Sequence, residues 1–178
     1  MDKFSVSVRE LQQKDIAAIA DYWYKTTKAE LMAMGADKKL LPKRKEFEGM
    51  LQQQILLPYN SKRAYALIWE YNGEAIGHCN VNPFTYGKEA YMHLHIWKQE
   101  ARRKGIAAKL VKLSLSYFFN NLKLERLFCQ PHADNDAANR VLEKAGFIFV
   151  WEYITTPGSI NFKQPVKLWM ATPEIIQQ

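Results

Sequence analysis

Cysteine is scarce in this chain, with Cys79 and Cys129 the only two. Neither a disulfide framework nor a cluster of thiolate metal ligands is built from so few. Long apolar runs are also missing. Stretches such as Ile55–Leu57 fall far short of the ~20 residues that cross a bilayer. The opening MDKFSVSVREL has no apolar segment of the secretory kind, so a cytoplasmic protein without a membrane partner is expected. Internal repeats, low-complexity tracts and linkers are absent, which leaves residues 1–178 as a single domain. Neither G-x-x-x-x-G-K-[ST] nor G-x-G-x-x-G occurs, which disfavours a nucleoside triphosphatase and a dinucleotide-dependent dehydrogenase.

What the chain does have is core material and positive charge. Hydrophobic residues make up 48%, with nine Tyr, nine Phe and five Trp, and this composition opposes disorder. Lys and Arg total 25 against 18 Asp and Glu, a formal charge of +7. Such a surface serves solubility, or draws in an anionic cofactor or a polyanion, without separating them.

Periodicity predicts a mixed α/β order. Strands are expected at Phe4–Arg9, Ala64–Trp69, Glu74–Val81, Ala90–Trp97, Leu127–Cys129, Phe147–Thr155 and Val166–Met170. Asn72-Gly73 reads as a tight hairpin turn. Helices are expected over Asp15–Tyr24, from Pro42 towards Pro58, over Gly105–Leu122 and over Asn135–Lys144. In the second of these, Phe47, Met50, Leu51 and Gln54 share a side. In the third, Ile106, Leu110, Leu113 and Tyr117 form the apolar stripe, widened by Leu115, Phe118 and Leu122. Gly146 suits the residue after the last helix.

The sharpest chemical feature is the strand–turn–helix from Ile96 to Ala107. A helix start presents unpaired N–H groups and the positive end of its dipole. Arg102, Arg103 and Lys104 add charge beside it, and Gly105 with the small Ala107 lets a bulky anion approach. The same pattern also describes a basic loop capping an ordinary helix.

Arg102-Arg103-Lys104-Gly105-Ile106-Ala107 fits Q/R-x-x-G-x-G/A, the signature of the GNAT superfamily of N-acetyltransferases, and the chain resembles that superfamily. A second match, Asn135-Asp136-Ala137-Ala138-Asn139-Arg140-Val141-Leu142-Glu143-Lys144-Ala145-Gly146-Phe147, is similar to the N-x-A-S-x-x-V-L-E-K-x-G-F segment of its ribosomal-protein N-terminal branch. The resemblance implies a mixed, mostly antiparallel twisted sheet of about seven strands, flanked by helices, with a splayed strand pair for the donor. It implies an N-acetyltransferase that moves an acetyl group from acetyl-CoA to a primary amine by direct attack in a ternary complex. The acceptor would be a small-molecule amine or a protein N-terminus, and the chain a monomer or homodimer.

Carried over by residue, the backbone N–H groups of Arg103, Lys104, Gly105, Ile106 and Ala107 would hold the pyrophosphate of the donor, with the Arg102 charge beside them. Ile96 and Trp97 would pair through backbone atoms with the pantetheine arm. Asn135 would sit by the cofactor, or serve only as a helix cap. The chain departs from the pattern at Ala138, where the branch has Ser, and at Leu142, where many members have Tyr. The usual proton donor to the departing thiolate is therefore missing, with Tyr153 and Ser159 as possible replacements.

An ammonium acceptor must lose a proton before it attacks, and histidine suits that task. His93 and His95 share a strand face next to the turn, and His78 is placed to face them from the preceding strand. His95, nearer the thioester end, is the first candidate base and His93 the second; simple packing is the competing role. The two give too few ligands for zinc, and no metal is expected. A backbone N–H near Trp97 would stabilise the oxyanion. Tyr22-Trp23-Tyr24, Met32-Ala33-Met34-Gly35 and Ser159-Ile160-Asn161-Phe162 are candidate acceptor walls. Competing classes are a non-catalytic acyl-CoA-binding regulatory module and a nucleic-acid-binding module. The second is disfavoured because the aromatics follow core periodicities, and no stable nucleic-acid complex is expected.

Overall fold

The computed structural model describes residues 5–102 and 105–177. Its strands are β1 (Val6–Glu10), β2 (Tyr65–Tyr71), β3 (Glu74–Thr85), β4 (Glu89–Ile96), β5 (Arg126–Cys129), β6 (Ile148–Thr155) and β7 (Gln164–Ala171). Its helices are α1 (Ile16–Lys25), α2 (Lys28–Ala33), α3 (Arg44–Leu56), α4 (Ala107–Leu122) and α5 (Asp136–Ala145). One seven-stranded sheet runs in the order β1-β2-β3-β4-β5-β7-β6. Every neighbouring pair is antiparallel except β4 with β5. The mixed, mostly antiparallel sheet flanked by helices is the expected architecture.

Two apolar clusters sandwich the sheet. On one face, Leu110, Leu115, Phe118 and Leu122 of α4 and Leu142 of α5 pack on Trp69, Met92 and Leu127. On the other, Ile19 and Trp23 of α1 and Leu31 of α2 pack on Ile68. The sheet between α1 and α4 is thus covered on both sides, which explains why β2 reads as a nearly continuous apolar run.

Local chemistry accounts for most boundaries. Asn72 (φ 50°) and Gly73 (φ 78°) make the predicted hairpin turn. Gly146 ends α5 at φ 94°, and Phe147 N–H closes the cap on the Leu142 carbonyl. The capping box that starts α2 lies in a stretch without predicted structure. The Thr27 hydroxyl accepts from Glu30 N–H at 3.2 Å, and the Glu30 carboxylate accepts from Thr27 N–H at 3.0 Å.

Three expectations shift. Helix α4 begins at Ala107 rather than Gly105, because Gly105 has φ 70° and cannot be helical. Its buried stripe includes Val111, Ser114 and Phe119, while Leu113 is exposed. Met50 of α3 also points to solvent, and that helix packs through Phe47 and Leu51 instead.

Candidate active site

The site begins where the sheet opens. Strand β4 pairs with β5 only from Glu89↔Arg126 to Tyr91↔Phe128. Beyond Tyr91, β4 continues to Ile96 while β5 ends at Cys129, bound to β7 on its other side. The unpaired edge of β4 therefore faces a slot.

The antiparallel ladder decides which backbone groups face it. Trp97 N–H donates to the Ile76 carbonyl at 2.8 Å. His78 and His95 are opposed, as are Gly77 and Ile96. Residues of such a ladder alternate, so Ile96 and Leu94 turn their N–H and C=O away from β3 and into the slot. Trp97 differs from Ile96 in this respect, because its N–H is committed to β3. The Ile96 carbonyl accepts from Arg102 Nη2 at 2.9 Å and Nε at 3.2 Å. The guanidinium so ties the end of β4 to the turn that follows.

That turn ends in a helix without a side-chain cap. Ile106 occupies the N-cap position and makes no side-chain cap bond. Its carbonyl accepts from Leu110 N–H at 3.0 Å, the first α-helical bond. The N–H groups of Ala107, Ala108 and Lys109 precede that bond and have no intrahelical acceptor. The position where a Gly105 side chain would begin has no atom within 4 Å. A positive dipole end with open space before it suits an anion. Arg103 and Lys104, the other two members of the expected cradle, lie outside the described residues.

On the opposite face of β4 the histidines converge. The rings of His78 and His95 stack with centroids 4.7 Å apart and planes at 25°. Trp23 of α1 meets His95 edge-on at 4.8 Å, and the Tyr22 hydroxyl lies 3.2 Å from His95 Nδ1. Trp97 Nε1–H donates to His78 Nδ1 at 2.7 Å. His93 stands apart, its Nε2 2.7 Å from the Asn82 carbonyl oxygen. Burial disfavours the charged ring in all three: it lowers His78 to about 3, His95 well below its usual value, and His93 in the same direction. Burial also raises Tyr22 to about 12.

The candidate acceptor walls come together only in part. Tyr22 OH contacts Met34 Sδ at 3.1 Å. The neighbouring Gly35 carbonyl accepts from the amides of Asn161 and Gln164, each at 2.8 Å, and Asp37 N–H donates to Ile160 O at 2.8 Å. The segment after α2 is thereby tied to the β6–β7 loop and the start of β7, and through Met34 to the Tyr22 hydroxyl. Tyr24 turns away to the Pro42 carbonyl, and Met32 and Ser159 are exposed.

Around α5, Asn135 Oδ1 accepts from Ala138 N–H at 3.2 Å, so it caps the helix. Leu142 is fully buried in the core, and Tyr153 OH donates to Gln130 Oε1 at 2.6 Å. Asn139, which the sequence did not single out, is a buried hub. Its Nδ2 donates to the carbonyls of His132, Ala133 and Asn135, and its Oδ1 accepts from Trp169 Nε1 at 2.8 Å. Among the described residues no three His, Cys, Asp or Glu converge as a metal-binding group. No helix of these residues is long and apolar enough to cross a membrane.

The comparisons agree with this geometry. The family model described as "Acetyltransferase (GNAT) domain" matches residues 6–148, and the chain belongs to that family. It is an acetyl-CoA-dependent acetyltransferase of GNAT fold. No curated protein matches it in sequence. Among solved structures it is similar to a spermidine N-acetyltransferase from Vibrio cholerae in complex with CoA and spermine. That likeness has 19% identity, a TM-score of 0.77, and coverage of 97% of this chain and 98% of the other. A ribosomal L7/L12 α-N-protein acetyltransferase in complex with coenzyme A gives 17%, 0.75, and 94% of each chain. An aminoglycoside acetyltransferase in complex with coenzyme A gives 18%, 0.69, and 97% and 98%. At such identities the likeness carries the fold. The three act in name on different amines, so what is shown is the superfamily and not the ribosomal N-terminal branch.

Proposed function

We propose that the chain, acting as one domain over residues 1–178, acetylates a primary amine by direct attack on acetyl-CoA in a ternary complex. The observation that carries this reading is the placement of His95 on β4, the same strand whose Leu94 and Ile96 backbone groups face the slot. A base and a donor-binding edge then share one rigid element.

In this reading Leu94 and Ile96 bind the pantetheine arm, with Trp97 just beyond the strand's end. Arg102 to Ala107 take the pyrophosphate, including Arg103 and Lys104, and Asn135 stands near the donor while it caps α5. His95, neutral at pH 7, accepts a proton from the ammonium, with His93 as the second candidate. The Ile96 N–H, one residue from Trp97, stabilises the oxyanion. The amine adds to the thioester carbonyl to form the tetrahedral intermediate that carries this oxyanion; as it collapses the C–S bond breaks, the carbonyl re-forms and sulfur leaves as the thiolate. Alignment of two bound substrates supplies much of the rate, which makes the absence of a hydroxyl at Ala138 and Leu142 tolerable.

The acceptor is a small-molecule amine or a protein N-terminus. The Asn135–Phe147 match supports the N-terminal branch, and the polyamine and aminoglycoside enzymes of like fold support the small-molecule class. The enzyme works in the cytoplasm as a monomer or homodimer, although one Vibrio cholerae relative is described as dodecameric.

Titration with acetyl-CoA, followed by thiol release with a panel of amines and N-terminal peptides, tests the reading. Micromolar binding with acceptor-dependent thiol release is expected. No binding at high micromolar concentration overturns it, and binding with thiol release only at the background rate reduces the chain to a regulatory module.

A further inference from the structure

Two of the three strand histidines are held by a partner of fixed hydrogen-bond character. Trp97 Nε1 is donor-only, so His78 Nδ1 accepts and its proton sits on Nε2. The Asn82 carbonyl is acceptor-only, so His93 Nε2 donates and its lone pair sits on Nδ1.

His95 meets a hydroxyl, which plays either role, and the next contact resolves it. Tyr22 has one O–H proton and two neighbours, Met34 Sδ at 3.1 Å and His95 Nδ1 at 3.2 Å. A thioether sulfur only accepts. Both contacts are hydrogen bonds in one arrangement alone: Tyr22 O–H donates to Met34 Sδ, and His95 Nδ1–H donates to the Tyr22 oxygen. Burial keeps Tyr22 protonated, so its proton is always present to be placed.

We propose that Met34, acting through the Tyr22 hydroxyl, holds neutral His95 as its Nδ1–H tautomer, leaving Nε2 as the lone-pair nitrogen. Tyr22 and Met34 are then positioning residues. His95 Nε2 makes no hydrogen bond among the described residues. No buried side-chain nitrogen or oxygen among them lacks a partner, so this nitrogen opens to solvent. His95 is thus distinguished from His78 and His93, whose lone pairs lie on Nδ1. The chemical use of that lone pair rests on the proposed function; the tautomer does not.

The test is long-range proton–nitrogen NMR of the full chain labelled with 15N-histidine, with no donor or acceptor present. Single His variants assign the signals. The expected pattern is Nδ1–H for His95 and Nε2–H for His78 and His93. In Met34→Leu the sulfur is gone, Tyr22 is free to donate to Nδ1, and the His95 signal moves towards the Nε2–H form. Tyr22→Phe leaves both tautomers populated and serves if the Met34 variant folds poorly. Where acetyl transfer is measurable, kcat in Met34→Leu falls roughly two- to tenfold, part of the ~100-fold or more that a positioned base contributes. An Nε2–H pattern for wild-type His95, or a pattern that both variants leave unchanged, overturns the proposal whatever the enzyme's rate. Full activity of His95→Gln overturns instead the base assigned under the proposed function.

Discussion

The indole nitrogen of Trp97 lies 2.7 Å from Nδ1 of His78, so the residue that follows β4 also fixes a side chain on β3. Removing that donor leaves a buried ring nitrogen without a partner. Trp97→Phe is expected to cost about 1–3 kcal/mol in denaturant unfolding. An unchanged midpoint would show that this bond contributes nothing to stability.

Burial of His78 has a pH signature. Its folded-state pKa is lowered to about 3, against a usual value near 6.5. Between those values the unfolded chain holds the extra proton, so stability is present above about pH 6.5 and lost as pH falls below it. One such histidine accounts for a slope of up to ~1.4 kcal/mol per pH unit. His78→Asn keeps an acceptor for Trp97 and removes the titration. Unfolding curves from pH 7.5 to 5 are expected to be flatter in the variant, and equal slopes would refute the assignment.

Gly105 stands at φ 70° with open space where a side chain would begin. Gly105→Ala is expected to cost about 1–2 kcal/mol in left-handed strain. Gly105→Glu adds bulk and negative charge at the start of α4 and is expected to abolish acetyl-CoA binding in a folded domain. Calorimetric titration beside circular dichroism checks both, and an unchanged affinity in Gly105→Glu would remove this turn from the donor site.

Gly35 is constrained differently. Its φ is 78°, and a Cβ there would come within 2.0 Å of Gln164 Oε1. Gly35→Ala must displace the Gln164 amide from the Gly35 carbonyl and so loosen the tie between the post-α2 segment and the β6–β7 loop. About 2–3 kcal/mol of destabilisation is expected, at the upper end for single substitutions. Crystallography or hydrogen exchange at Ile160–Gln164 should show the loosening, and native protection there would contradict it.

The features legible in the sequence were those written in local chemistry. Asn72-Gly73, Gly146 and the amphipathic run of α4 mark a turn, a cap and a face directly. The class of sheet is what the resemblance implies, but its strand order is not, because pairing β7 between β5 and β6 depends on contacts that no local pattern records. That His78 faces the histidines of the next strand follows from the order of the strands; its pairing with His95 does not, because the residues between Val81 and Ala90 leave the register open. Tyr22 and Met34 were placed only on a candidate wall, since their contact with His95 joins a helix, a loop and a strand. Asn139 was passed over because an Asn inside a motif reads as polar surface until its four partners are seen. The Thr27–Glu30 capping box has the S/T-x-x-E spacing of a helix start, but it lies in a mixed stretch before Lys45 with no apolar periodicity to mark the helix that follows.

Ile106 at the N-cap leaves α4 unfinished at its first turn, in a helix that otherwise forms much of the core. Natural helices usually complete that turn with a Ser, Thr, Asp or Asn of their own. Under the proposed function the donor's pyrophosphate completes it. A donor held there by the folded chain alone would couple binding to folding: at one hundred times its Kd it would add about 2.7 kcal/mol to the stability of the whole domain. The supply of acetyl-CoA then bears on the enzyme's persistence as a folded molecule as well as on its rate.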